Sequence, residues 1–154
     1  MTTPPEAVTT RTTFRRRTAV TVDIDATAAV TWALLTDVEK QRAWNSTLTR
    51  ISGAIAEGST VELEAAASPG RTFKLKVSDV VPAERMTWSD GFAPMFRGVR
   101  TFQLTDLGGG RSRFAMEEVF AGVMLPMIAG SLPEFAPIFA TYAADLKRAA
   151  EAAG

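Results

Sequence analysis

From Leu48 to Phe120 apolar and polar residues alternate with a period of two almost throughout. Val61, Leu63 and Ala65 alternate with Glu62 and Glu64; Phe73, Leu75 and Val77 alternate with Lys74 and Lys76; Met86 and Trp88 flank Thr87. Successive side chains on a strand point to opposite faces, so the pattern predicts an antiparallel meander with one buried and one wetted face. Turn residues divide it at Glu57-Gly58, Ser68-Pro69-Gly70, Pro82-Ala83 and Gly108-Gly109-Gly110. A sheet with one apolar face must bury that face against another layer.

The C-terminal stretch "SLPEFAPIFATYAADLKRAAEAA" supplies the layer, because Phe135, Phe139, Tyr142 and Leu146 fall on one helical face. Ser131 and Glu134 have the spacing of a capping box. If Ser131 caps, Pro137 lies beyond the first turn, so the helix either kinks there or begins later. Upstream, Val20, Val22 and Ile24 mark a strand. Thr27 is placed to cap a helix through "TAAVTWALLTD", and a second short helix through "EKQRAW" ends near Asn45. Residues 1–12, rich in Thr and Pro, read as a disordered tail before a single domain over 13–154. The expected class is α+β: a curved antiparallel sheet of about seven strands wrapped around a long C-terminal helix, with two short helices after strand 1.

Composition narrows the chemistry. The chain has no cysteine and no histidine, which removes disulfides, thiolate chemistry, the usual zinc and haem ligands, and every histidine-dependent triad. The carboxylates show no calcium-loop spacing, so no metal and no cofactor are expected. Seventeen basic residues balance seventeen acidic ones, and the run Arg15-Arg16-Arg17 is too short to argue for nucleic acid. No apolar run reaches the ~18 residues of a membrane span, and the N-terminal residues lack the apolar centre of a signal peptide. A cytoplasmic protein without stable membrane insertion, monomer or homodimer, is the expectation.

One hairpin carries an anomaly. In "GVRTFQLTDLGGGRSRFAMEEVFAG" a fold about Gly109 pairs Leu104 with Phe114, Phe102 with Met116 and Arg100 with Glu118, which sets a charged pair on the apolar face. A one-residue slip would turn the phenylalanines into water.

This order of elements resembles the START-like superfamily, also called the Bet v 1-like or SRPBCC (polyketide cyclase/dehydrase and lipid transport) group. The resemblance covers about Thr18 to Glu151. It rests on Ile24 to Asn45, with Val30, Trp32, Leu35, Asp37 and Trp44; on Gly98-x-Arg100-x-Phe102-x-Leu104; on Glu118-x-Phe120-x-Gly122; and on Leu146-Lys147 with Glu151. These motifs mark a fold rather than a reaction. The resemblance implies a helix-grip fold, with an apolar cavity between sheet and helix that takes a lipid, a polyketide-like aromatic or an isoprenoid.

Phe73, Leu75, Met86, Trp88, Phe102 and Leu104 have the inward parity to line such a cavity. So do Phe114 and Met116, with Phe135, Phe139 and Tyr142 on the helix; alternatively all of these simply pack on one another. Tyr142 is the only tyrosine, and its hydroxyl needs a partner if buried. Successive turns of a meander alternate ends, which gathers the loops near Pro69, Ser89–Arg97 and Ala121–Ser131 at one end. Phe92, Met95 and Phe96, with Met124, Leu125 and Met127, are apolar for loops; they cap the core, form a lid over a mouth, or make a dimer contact.

Arg100 and Glu118 lie near that end. They fix the hairpin register, orient a polar group on an apolar ligand, or both. Asp90, Asn45 and the Trp44 indole are weaker candidates for polar contacts. The leading reading is binding of an apolar or amphipathic small molecule. The alternatives are a cyclase/dehydratase with Glu118 as general base and Arg100 stabilising an oxyanion, and a co-chaperone-like interaction module.

Overall fold

The computed structural model describes residues 5–154. Its elements are β1 (Ala7–Thr12), β2 (Arg15–Ile24), α1 (Ala28–Leu35), α2 (Val38–Trp44), β3 (Leu48–Gly53), β4 (Thr60–Ala65), β5 (Thr72–Val81), β6 (Arg85–Phe92), β7 (Phe96–Gly108), β8 (Arg111–Ala121), the one-turn α3 (Leu125–Ile128) and α4 (Phe135–Ala153). The strands form one antiparallel sheet in the order β1-β2-β8-β7-β6-β5-β4-β3. This is the expected α+β helix-grip arrangement, in which α4 packs over β1 and β2 and against α1 and α2. The core holds the concave face of the sheet, Leu35 of α1, and Phe139, Tyr142, Ala143, Leu146 and Ala150 of α4.

Local chemistry explains the helix ends. Thr27 accepts from the Val30 amide and caps α1, while Asp37 accepts from the Glu39 and Lys40 amides and caps α2. Gln41, fully buried, donates from Nε2 to the Leu35 carbonyl and accepts from Asn45, whose Oδ1 in turn accepts from the Thr47 amide and hydroxyl. Asn45 is therefore a corner residue between α2 and β3. The Trp44 indole donates to the Leu34 carbonyl at 3.0 Å and is likewise structural.

Three expectations are corrected. The sheet has eight strands rather than about seven, because Ala7–Thr12, expected within a tail, pairs with β2 from Ala7↔Val20 to Thr12↔Arg15. Threonines suit a pleated edge, and Arg11 at the end of β1 forms an ion pair with Glu134 just before α4. Residues 1–4 of that tail lie outside the described residues. The capping box does not form: the Ser131 hydroxyl donates to the Ile128 carbonyl within a short 3₁₀ turn, Ala129–Ser131, and α4 starts at Phe135. Pro137 then occupies the first turn, where its missing N–H has no partner to lose, so the later start is the alternative realised.

Candidate functional site

The register lays the concave face out in rows. Reading from the end that bears the β6–β7 and β8–α3 loops, Arg16, Phe120, Gly98 and Asp90 share the first row across β2, β8, β7 and β6. Thr18, Glu118, Arg100 and Trp88 form the second, which Val77 of β5 extends. Val20, Met116, Phe102 and Met86 form the third, and Val22, Phe114 and Leu104 the fourth. The hairpin register expected from the alternation holds from Arg97↔Ala121 to Asp106↔Ser112, and a bulge follows only at the turn.

The second row carries the chemistry. Arg100 donates from Nε and Nη2 to the two oxygens of Glu118 at 3.3 and 3.0 Å, and its guanidinium lies 4.9 Å from the Phe139 ring centre. The side chains are only 18% and 11% exposed, so the pair is largely desolvated yet reachable from water. Burial opposes the charge on Arg100, but the carboxylate beside it outweighs burial and holds the guanidinium pKa above its ordinary value. Asp90, one row nearer the loops, moves upward too, first through burial and then through the negative charge of Glu118.

Two buried donors near the pair make no well-formed hydrogen bond. Trp88 stands opposite Arg100, and its indole nitrogen makes no hydrogen bond; the Tyr142 ring packs with Phe102, Phe114 and Trp44, and its hydroxyl feels the Gln41 side chain and the Arg100 charge without a well-formed hydrogen bond. Burial drives the Tyr142 pKa strongly upward, which keeps the hydroxyl a neutral donor.

The expected wall residues divide into two groups. Met86, Trp88, Phe102, Leu104, Phe114, Met116, Phe139 and Tyr142 are buried together in one cluster. Phe73, Leu75 and Phe135 are only partly buried at its margin, and Phe73 carries the Arg71 guanidinium 4.9 Å from its ring centre. Of the loop residues, Phe92, Met95 and Met127 are exposed, whereas Phe96 stacks on Phe120 at 5.6 Å and Leu125 is buried. Leu125 is thus an anchor that fastens its loop to the core, not a portal residue.

Two residues escaped the sequence reading. Arg16 is buried with Nη1 unpaired, although its inward parity with Val20 was available. Asp145, also buried, accepts from the Ser46 amide and hydroxyl at 2.9 and 2.6 Å and ties α4 to the corner after α2. A groove between α1, α2 and the end of β3, lined by Thr36, Asp37, Lys40, Gly53 and Ile55, lies apart from all of these. Among the described residues no group of three or more carboxylates is placed to hold a metal ion, and no helix is long and apolar enough to cross a membrane.

A curved antiparallel sheet gripping a long C-terminal helix is the START-like fold. The chain belongs to the polyketide cyclase/dehydrase and lipid transport family, whose model matches residues 15–153. Solved structures agree on the fold. A Rhodobacter sphaeroides protein is 20% identical, covers 97% of this chain and 100% of its own, and superposes with a TM-score of 0.70. A START superfamily protein from Mycobacterium smegmatis is 17% identical over 90% of this chain and 99% of its own, with a TM-score of 0.66. A norcoclaurine synthase point mutant from Thalictrum flavum, solved with a transition-state analogue, is 12% identical over 96% and 99%, with a TM-score of 0.64. No curated protein matches the sequence.

Proposed function

We propose that this protein binds an apolar or amphipathic small molecule, of the lipid, polyketide-like or isoprenoid kind, between the concave face and α4. The observation that carries the reading is the buried Trp88 Nε1 donor, which has no partner although it lies opposite the Arg100–Glu118 pair in an aromatic cluster; the Tyr142 hydroxyl, with the Gln41 side chain beside it, is a second buried polar atom there. Buried polar atoms nearly always have partners, because an unpaired one costs roughly 1–3 kcal/mol. A carbonyl or hydroxyl on an otherwise apolar ligand supplies the missing acceptor. Phe73 and Leu75 of β5, half covered at the margin of the cluster, give such a ligand an apolar approach from the side that α4 does not overlie, and Phe135 at the start of α4 is half covered as well. Methionines at 86 and 116 adapt to its shape.

The cyclase/dehydratase alternative has less support. Both Glu118 oxygens accept from Arg100, so neither is free to take a proton from a substrate carbon without breaking that pair.

The test is mass spectrometry of small molecules extracted from the purified protein, followed by titration with diphenylhexatriene and competition by ligands with and without a carbonyl or hydroxyl. Tyr142→Phe and Trp88→Phe are expected to weaken polar competitors by roughly 2–10-fold each while leaving hydrocarbons unaffected. Failure to extract any small molecule, together with no saturable probe binding, would overturn the proposal.

A further inference from the structure

Among the described residues, five of the six most exposed large apolar side chains lie at one end of the sheet: Phe14, Phe92, Met95, Val123 and Met127; the sixth, Val8, is on β1. They come from three separate loops that backbone hydrogen bonds join into one surface. The Gly122 amide donates to the Phe14 carbonyl, Val123 to Pro94 and Met124 to Met95, at 3.0–3.1 Å. The most exposed, Phe92 at 70% and Met127 at 76%, leave large apolar areas in water, which soluble surfaces ordinarily avoid in such concentration.

Cations ring this surface. Arg15 and Arg97 both stand opposite Ala121, one on each side of the last residue of β8, and both are exposed. Arg71, on the neighbouring β4–β5 loop, is exposed as well. None of the three forms an ion pair among the described residues. Carboxylates are fewer here than guanidinium groups. Glu134 is held by Arg11 and Glu64 accepts from the Gly70 amide, which leaves the half-buried Asp90 as the one carboxylate set against Arg71 and Arg97. A chain with no net charge thus gathers guanidinium groups in excess of carboxylates around its apolar tip.

We propose that this end docks on an anionic phospholipid surface. The apolar tips enter the headgroup boundary while Arg15, Arg71 and Arg97 sit at phosphate level, so apolar burial and charge attraction act together. The charge also argues against a second copy as the occupant, since a two-fold contact through this end would oppose like charges. The inference is independent of the small-molecule reading, because it concerns the outer surface of the loops and its test uses no ligand.

The experiment is co-sedimentation of the full chain with phosphatidylcholine vesicles and with vesicles of phosphatidylcholine mixed with phosphatidylglycerol. Binding to the mixed vesicles alone, weakened by high salt, is the expected result. Arg15→Gln with Arg97→Gln should lower that binding by roughly 10–30-fold, and Phe92→Ser with Met127→Ser by at least about tenfold. A Met127→Trp variant gives a second readout, an emission shift to the blue on mixed vesicles only. Absence of binding to the mixed vesicles, or equal binding to both kinds with no response to the arginine changes, would overturn the proposal. So would a concentration-dependent dimer that the Phe92→Ser and Met127→Ser changes dissolve.

Discussion

Arg100 and Glu118 face each other across β7 and β8 through two hydrogen bonds, and the Arg100 guanidinium reaches on to the Phe139 ring of α4. The charges thus lie among phenylalanines as a cross-strand pair that also touches the covering helix, an arrangement expected to stabilise the hairpin. Breaking such a pair leaves an uncompensated charge in a desolvated place, which costs more than replacing both partners. Arg100→Met and Glu118→Leu are each expected to lower stability by about 2–4 kcal/mol, below the full buried-pair cost because both side chains keep some contact with water. The double variant should be neutral or more stable than wild type. Thermal melts of the four proteins give the coupling, and two near-neutral singles would remove the structural role.

Much of this pair's setting was legible from alternation alone, because a period of two fixes faces and a glycine turn fixes register. The rows followed once Val20, Met86 and Phe102 were assigned inward. What parity does not supply is long-range order: nothing in the local pattern of Ala7–Thr12 says that it extends the sheet beyond β2, since an edge strand of threonines resembles a tail until its partner is known. The same limit explains Asp145, whose partner Ser46 is distant in sequence and meets it only when α4 lies over the corner after α2. The buried hydroxyl of Tyr142 is a question the sequence raises, but its surroundings, with Gln41 of α2 beside it, belong to three-dimensional packing.

Gly122 holds the tip together. Its φ of 145° is one that side chains rarely adopt, and a Cβ there would stand 2.2 Å from the Met95 carbonyl oxygen. The neighbouring amides donate to Pro94 and Met95, so the β8 end can approach the β6–β7 loop only where no side chain intervenes. Gly122→Ala is expected to cost more than about 1 kcal/mol and to lower the melting temperature by at least roughly 2–4 °C. Hydrogen exchange should quicken at Val123 and Met124 while the amides of β2 and β7 stay protected. An unchanged melt would mean that the loops separate without cost.

Asp145 should behave as a fastening of α4. Its carboxylate accepts two bonds from Ser46 and a third from Arg148, and Asp145→Ala would leave the Ser46 amide without its acceptor. The expected loss is about 2–3 kcal/mol, the scale of hydrogen bonds to a charged group. Ser46→Ala, which removes one bond and keeps the amide contact, should cost about 1 kcal/mol. Chemical denaturation of both variants checks the order, and equal losses would assign the tie to the hydroxyl alone.

Asp90 supplies a pH test of the site. Burial and then the charge of Glu118 raise its pKa above the ordinary value of 3.8, while Arg71 and Arg97 oppose the shift less strongly. A carboxyl group whose pKa is higher in the folded state binds its proton more tightly there. Its contribution is therefore most favourable below pH 3.8 and is lost as pH rises through the folded-state value. At neutral pH the wild type carries the cost of an ionised, half-buried Asp90 next to Glu118. Asp90→Asn should accordingly melt higher than wild type at pH 7, and the gain should shrink as pH falls toward 3.8. Combining it with Glu118→Gln should reduce the benefit, because the repelling charge is then absent. Melting curves for these variants across that range are the check. A gain that did not depend on pH would show that Asp90 is strained for a reason other than its charge.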